Sequence, residues 1–325
     1  MQNLIERHLL NRSLLSYLLL PLAWKFSFLQ IIRRKIIFPK FKAKCKIISV
    51  GNIVSGGSGK TPVTIYLAKY FITKRKKVAI SHRGYKGEFE KTVRIISDRE
   101  QIFDFAKDAG DEPFLLAEKL PNIPVVAGKN RQKSIELLLA KFPDLDYIIL
   151  DDSFQNLKVK KDLDFIVFNS ITKLGNGFVL PAGFLREPLS ALKYADYIIY
   201  NGDGEIPTQI TKYKKPTLRT KYDVKNFTNQ NGNNILKSDL QNKRIALLSA
   251  IGTPKSFEKT ILNCGLRFEK HYAFPDHYDY QKLKISEYDY VLTTEKDFAK
   301  LRFIKHHLPL VVVEVELKFK EDFQL

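Results

Sequence analysis

Cysteine is almost missing from this chain. Cys45 and Cys264 are its two, far apart in sequence, so they make neither a disulfide framework nor a metal-spaced pair and point to a reduced, cytosolic setting. Acidic residues are also scarce. Asp and Glu number 35 against 54 Lys and Arg, a formal net charge of +19, which predicts an anionic partner: nucleic acid, an acidic lipid surface or a phosphorylated substrate. No nucleic-acid module and no suitably spaced aromatic-basic array accompanies that charge, which ranks nucleic acid last. Solenoid repeats and long low-complexity tracts are absent. So is an unbroken apolar run. Leu14 to Trp24 is nearly all apolar but contains Pro21; Lys25 interrupts, Phe26 to Ile32 resumes, and Arg33-Arg34-Lys35 closes. A spanning helix needs about 20 uninterrupted apolar residues, and no small-residue cleavage site marks a signal peptide.

What remains at the N-terminus is an apolar segment followed by a basic cluster, with Trp24 and Phe26 at the junction and Lys40, Lys42, Lys44 and Lys46 beyond. That pattern fits a helix lying in a membrane interface; the alternative is a helix buried against the domain. The apolar fraction of 44% is enough for a core. A chain of 325 residues suggests two domains, or one large α/β domain with an appendage.

The stretch Lys46 to Arg75 organises the rest. Lys46 to Val50 is short and β-branched, as a buried strand should be. Ser55-Gly56-Gly57-Ser58-Gly59-Lys60-Thr61-Pro62 follows, and Val63, Leu67, Tyr70 and Phe71 then recur at helical spacing. Glycines let the backbone curl and aim successive N–H groups at one anion, at a helix N-terminus whose dipole favours negative charge. Lys60 supplies a mobile cation for the outer phosphates and Thr61 a hydroxyl for Mg²⁺. The full P-loop pattern has glycine where Val54 stands, but Gly-Lys-Thr between a strand and a helix is specific enough to favour a phosphate-binding loop over an ordinary glycine-rich turn.

Strands then alternate with helices. Val78 to Ile80 runs into Ser81-His82-Arg83-Gly84-Tyr85; Ile123 to Ala127 runs into Gly128-Lys129-Asn130-Arg131; Asp146 to Leu150 ends in Asp151-Asp152; Asp164 to Phe168 and Ala195 to Tyr200 follow. The order predicts a doubly wound, mostly parallel sheet of P-loop NTPase type. Ligands gather beyond the carboxyl ends of such strands, which puts Arg83 near a phosphate, or leaves it in a basic surface loop. An acid at a strand end suits Mg²⁺, and two adjacent acids repel unless a cation sits between them. Ala109-Gly110-Asp111-Glu112-Pro113 opens a helix; its acids complement the helix dipole, or one of them is a general base. Leu185-Arg186-Glu187-Pro188 is a loop. Asn201 to Asn234, rich in Asn, Gly, Thr and Lys, reads as a linker with short strands. Arg244 to Pro254 restarts the strand, glycine turn and helix pattern without Gly-Lys-Thr, Tyr290 to Thr294 is a strand ending in charges, and Leu310 to Val315 is a last strand. The expected units are an N-terminal membrane-associated helix (1–36), a P-loop kinase domain (37–205) and a smaller C-terminal α/β domain (206–325).

These motifs, with Asp151-Asp152-Ser153-Phe154-Gln155, Asp276-His277-Tyr278 and Thr294-Glu295-Lys296-Asp297, resemble in order and spread the tetraacyldisaccharide 4'-kinase family, the inner-membrane lipid A kinases of Gram-negative bacteria. The family's Asp-Asp-Gly-Phe-Gln-His differs here at Ser153 and Asn156. The resemblance implies ATP- and Mg²⁺-dependent phosphorylation of the 4'-hydroxyl of a lipid-linked disaccharide, at the cytoplasmic face of the inner membrane and without a protein partner. It implies Asp111 and His277 as a catalytic dyad, with Asp111 accepting the sugar proton. Lys60 and Arg186 join them as catalytic candidates; Ser55 to Thr61 hold the nucleotide; Thr61, Asp151, Asp152 and Glu187 are metal candidates; Arg83, Tyr85 and Arg131 are candidates for gripping the substrate. The competing reading is a membrane-recruited P-loop ATPase or switch that passes phosphate only to water.

Overall fold

Runs of β-branched and aliphatic residues form the strands of a single mixed sheet: β1 (Lys46–Gly51), β2 (Val78–His82), β3 (Arg94–Ser97), β4 (Val125–Ala127), β5 (Tyr147–Asp151), β6 (Leu163–Asn169), β7 (Tyr197–Asn201), β8 (Thr217–Asn229), β9 (Ile245–Ser249), β10 (Lys270–Ala273), β11 (Tyr290–Thr294) and β12 (Leu310–Phe319). The structure is a computed structural model and describes residues 8–85, 87–103, 108–276, 278, 280, 283, 285, 287–304, 307–321, 323 and 324. Across the sheet the strands lie in the order β10-β9-β11-β12-β8-β7-β6-β1-β5-β2-β4-β3. All neighbours are parallel except β12 with β8 and β3 with β4.

The helices that matter below are α1 (Leu14–Leu18), α2 (Leu20–Ile36), α3 (Lys60–Thr73), α4 (Asp111–Lys119), α5 (Arg131–Lys141), α6 (Pro254–Asn263) and α7 (Glu295–Leu301). The apolar stripe of α3 buries Val63, Leu67, Ala68 and Phe71, packed in one cluster with Ile48 and Val50 of β1, Ile149 of β5 and Val167 of β6. Burying each large side chain of that stripe contributes roughly 1.5–3 kcal/mol. This packing fixes the first turn of α3 against the end of β1.

One strand turns the sheet into a cleft. The start of β8 pairs in parallel with β7, from Thr217 opposite Ile198 to Thr220 opposite Asn201. From Thr220 to Asn229 it runs on past β7 and pairs antiparallel with β12. Strands β9, β10 and β11 are parallel to β12, so the carboxyl ends of β9 and β11 point back toward those of β1, β5, β6 and β7. Both halves of the sheet present the edge at which such folds bind ligands. Sequence reading expected a linker with short strands over Asn201 to Asn234; the thirteen-residue β8 lies there instead. Its Lys, Thr, Asn and Tyr content disguised it, since only Thr220 and Phe227 of the strand are buried and it lacks a continuous apolar run.

Pro21 divides the N-terminal segment. It stands in the first turn of α2, where no intrahelical N–H is needed, and Ser13 caps α1. Leu14, Leu18, Leu22, Trp24, Phe28 and Leu29 are exposed. No helix among the described residues is long and apolar enough to cross a membrane.

Candidate active site

The loop after β1 is closed on both sides by its neighbours. Gly59 caps α3 with φ of +91°, and a Cβ there would stand 2.4 Å from Tyr222 Oη and 2.8 Å from Asn201 Nδ2; glycine alone satisfies both the torsion and the space. The Gly57 carbonyl accepts hydrogen bonds from Asn169 Nδ2 at 2.6 Å and from Thr253 Oγ1 at 2.9 Å. Asn52 Nδ2 donates to Ser58 Oγ at 3.0 Å, and Ser55 N–H to the Phe184 carbonyl at 2.8 Å. Residues from the ends of β6, β7 and β9 and from β8 thus hold the loop from Ser55 to Thr61 in shape. Gly252, just before α6, packs so closely that a Cβ there would meet Gly57 N at 2.4 Å.

Thr61 and the strand-end acids lie side by side. Thr61 Oγ1 donates to Asp151 Oδ2 at 3.2 Å. Asp151 is 1% exposed, and its other oxygen accepts from the Asp152 amide at 2.9 Å. Burial pushes the Asp151 carboxyl above its ordinary range, and both of these hydrogen-bond donors are neutral. Asp152 sits differently. Lys60 Nζ is 3.6 Å from its Oδ1, and Arg186 Nη1 is 3.3 Å from both carboxylate oxygens. Burial opposes its charge, yet Lys60 and Arg186 hold it below the usual range. The donor set of one hydroxyl and two carboxylates on the phosphate-loop side suits Mg²⁺, a hard cation that takes oxygen ligands from few protein groups and completes its shell with phosphate and water.

A second cluster faces this one. The Gly84 N–H donates to His82 Nδ1 at 3.0 Å, which leaves His82 Nε2 to donate to Glu112 Oε2 at 3.1 Å. Lys296 Nζ bonds Glu112 Oε1 and Asp276 Oδ1, each at 3.0 Å. Burial works against the charge of Glu112, but Lys296 and His82 hold its carboxyl well below the usual range. Burial likewise opposes the charge of Lys296, and Glu112 and Asp276 outweigh it, keeping the ammonium protonated above the ordinary lysine range. Beside this cluster, Lys300 Nζ lies 2.8 Å from Asp111 Oδ2. The cleft between the two clusters has a volume of about 1320 Å³, and Lys60, Arg83, Tyr85, Asp152, Arg186 and Lys296 are among its lining residues. Arg83 bonds Glu90 Oε1 at 2.8 and 3.0 Å.

Two predicted site residues stand elsewhere. Arg131 is 4% exposed; its guanidinium bonds Ser81 Oγ at 3.1 Å and the Asp151 carbonyl, and burial lowers its pKa to about 10. It props the end of β5 and does not reach into the cleft as a substrate contact. Glu187 is 1% exposed, and Arg34 takes both its oxygens, at 2.5 and 3.0 Å. Glu187 is thus held in a buried fork behind the loop and, unlike Asp152, is not among the residues lining the cleft, so it is not offered to a metal there. His277 lies outside the described residues. Nothing local in the motifs containing His82, Glu112, Asp276 and Lys296 signals that they meet, because Glu112 and Lys296 are distant in sequence and come together only when the sheet folds back through β8. Asn169, Asn201, Tyr222 and Thr253 carried no signal beyond their positions at or after strands.

The tetraacyldisaccharide-1-P 4'-kinase (LpxK) family model matches residues 15–325. The tetraacyldisaccharide 4'-kinase of Pasteurella multocida is 35% identical over 319 residues, covering 95% of this chain and 93% of that protein. The enzyme of the same name from Histophilus somni is 34% identical, covering 97% and 94% respectively. The crystal structure of LpxK from Aquifex aeolicus in complex with ATP superposes with a TM-score of 0.76 at 30% identity, covering 94% of this chain and 96% of that one. The chain therefore belongs to the tetraacyldisaccharide 4'-kinase family, a family of kinases of lipid A synthesis.

Proposed function

We propose that the cleft takes Mg·ATP on the loop Ser55 to Thr61 and passes its terminal phosphoryl group to the 4'-hydroxyl of a tetraacyldisaccharide 1-phosphate. The observation that carries this is the convergence of Lys60 and Arg186 on Asp152, beside Thr61 and Asp151, in a cleft fed by both halves of the sheet. Loop N–H groups and Lys60 bind the phosphates. Thr61, Asp151 and Asp152 would hold Mg²⁺, whose charge offsets that of the phosphates when it is bound. Arg186 is positioned to leave Asp152 for the transferring group, which it would grip by paired hydrogen bonds. Such reactions need positioning and charge neutralisation more than covalent help.

Asp111 is the base that accepts the sugar proton, and its pairing with His277 rests on the family resemblance. Lys300, 2.8 Å from Asp111 Oδ2, would orient that carboxylate for the acceptor hydroxyl. Arg83 and Tyr85, on the cleft wall, are the substrate contacts. The exposed apolar faces of α1 and α2, with the exposed Lys35, Lys40, Lys42 and Lys44 beyond them, suit a membrane interface and support the reading of an enzyme at the cytoplasmic face of the inner membrane, where an acylated substrate would reside. Relatives named as disaccharide kinases favour a sugar acceptor over water. Lys60→Ala tests the assignment: turnover should fall to background, and retained turnover would remove the phosphate-loop reading.

A further inference from the structure

The last turn of α2 carries Arg33, Arg34 and Lys35, on a helix that otherwise leaves Leu22, Trp24, Phe28 and Leu29 exposed. Arg34 turns inward, with its side chain 7% exposed. Its Nε and Nη2 donate to the two oxygens of Glu187 at 2.5 and 3.0 Å, and Nη2 also lies 3.4 Å from the Phe154 carbonyl. Its guanidinium carbon stands 4.2 Å from the centre of the Phe154 ring and 5.2 Å from that of Tyr194. Arg33 donates to the Gln155 carbonyl at 2.8 Å.

These contacts fall on two loops. One follows β5 and carries Asp152, Phe154 and Gln155; the other is Leu185 to Pro188 and carries Arg186 beside Glu187. Asp152 and Arg186 are the pair that meets at the phosphate-loop cleft. A single guanidinium therefore ties together both loops from behind. Stability alone accounts poorly for such a group, because a buried ion pair is often matched or bettered by an apolar pair of the same volume. Geometry accounts for it better: a bidentate fork fixes direction as well as distance, which an ammonium does not.

We propose that Arg34 is a positioning residue for phosphoryl transfer, setting through Glu187 and Phe154 where Arg186 stands relative to Asp152. The helix with the exposed apolar face is thereby part of the scaffold of the catalytic loops. This rests on the reading of Arg186 as a contact of the transferring group.

The test uses the full chain in detergent micelles with ATP and tetraacyldisaccharide 1-phosphate, comparing Arg34→Gln, Arg34→Lys, Arg186→Ala and the Arg34→Gln, Arg186→Ala double variant. Arg34→Lys keeps a cation beside Glu187 and should keep the melting temperature, while kcat falls roughly 10- to 100-fold, the scale of a misplaced catalytic group, with KM for ATP little changed. Arg34→Gln should be slow alone and add nothing once Arg186 is gone. Wild-type kcat in Arg34→Lys, or losses that multiply in the double variant, would overturn the proposal even with Arg186→Ala slow. A full rate in Arg186→Ala would instead remove the role of Arg186, and the inference with it.

Discussion

Lys296 at the start of α7 lies 3.0 Å from Glu112 at the start of α4. Those helices belong to opposite halves of the sheet, and the same two helices, with the residues at their ends, are joined again by Lys300 with Asp111 and Arg302 with Glu118, each at 2.8 Å, and by Lys119 with Glu295. These four ion pairs link the two helices on this side of the cleft. Isolated exposed pairs contribute about 0–1 kcal/mol, but Glu112 has both oxygens occupied and a buried histidine depending on it.

Glu112→Gln should therefore lower stability by about 1–3 kcal/mol near neutral pH, the usual cost of leaving largely covered hydrogen-bond partners short of an acceptor. The folded-state pKa of Glu112 is depressed, so its contribution is present above the unfolded-state value and is lost as pH falls through the folded-state value. Denaturant titrations of both proteins should show a gap at neutral pH that closes under acid. A gap that is constant with pH would assign the loss to packing.

Asp151 has the opposite sign. Its folded-state pKa is raised by burial, so its ionisation costs stability as pH rises from the unfolded-state value through the folded-state one. Asp151→Asn, without metal, should melt at or above the wild-type temperature at neutral pH while losing Mg²⁺-dependent turnover. A variant that melts lower and still turns over would contradict both parts.

Asp111→Ala should cut kcat by roughly 100- to 10,000-fold, the range of a lost general base, while nucleotide affinity measured by calorimetry stays near wild type. The Asp111 carboxylate bonds Lys300, so Asp111→Asn should fold normally and be equally slow. A near-normal rate in either variant would exclude Asp111 as the base.

The phosphate-loop half of the fold was legible because each element there carries its own local signal: β-branched strands, a glycine loop, and acids placed directly after Leu150. The order Gly59-Lys60-Thr61 marks the loop after β1, and the structure brings Asp151 and Asp152 beside it. What escaped was long-range. Nothing in the spacing of Arg34 and Glu187 foretells a bidentate pair, so Glu187 read as a metal candidate from its place beside Arg186. Arg131 read as a cleft residue because it follows a strand; in fact it opens α5 and points under the sheet edge to the Asp151 carbonyl. The half-polar β8 hid the turn that brings Lys296 to Glu112.

The most direct measurement follows the terminal phosphate of ATP. With isotopically labelled ATP, Mg²⁺ and tetraacyldisaccharide 1-phosphate in mixed micelles, the account predicts label in a bisphosphorylated lipid, none of it in the Lys60→Ala variant. Label released only as free phosphate, with the lipid unchanged, would contradict it.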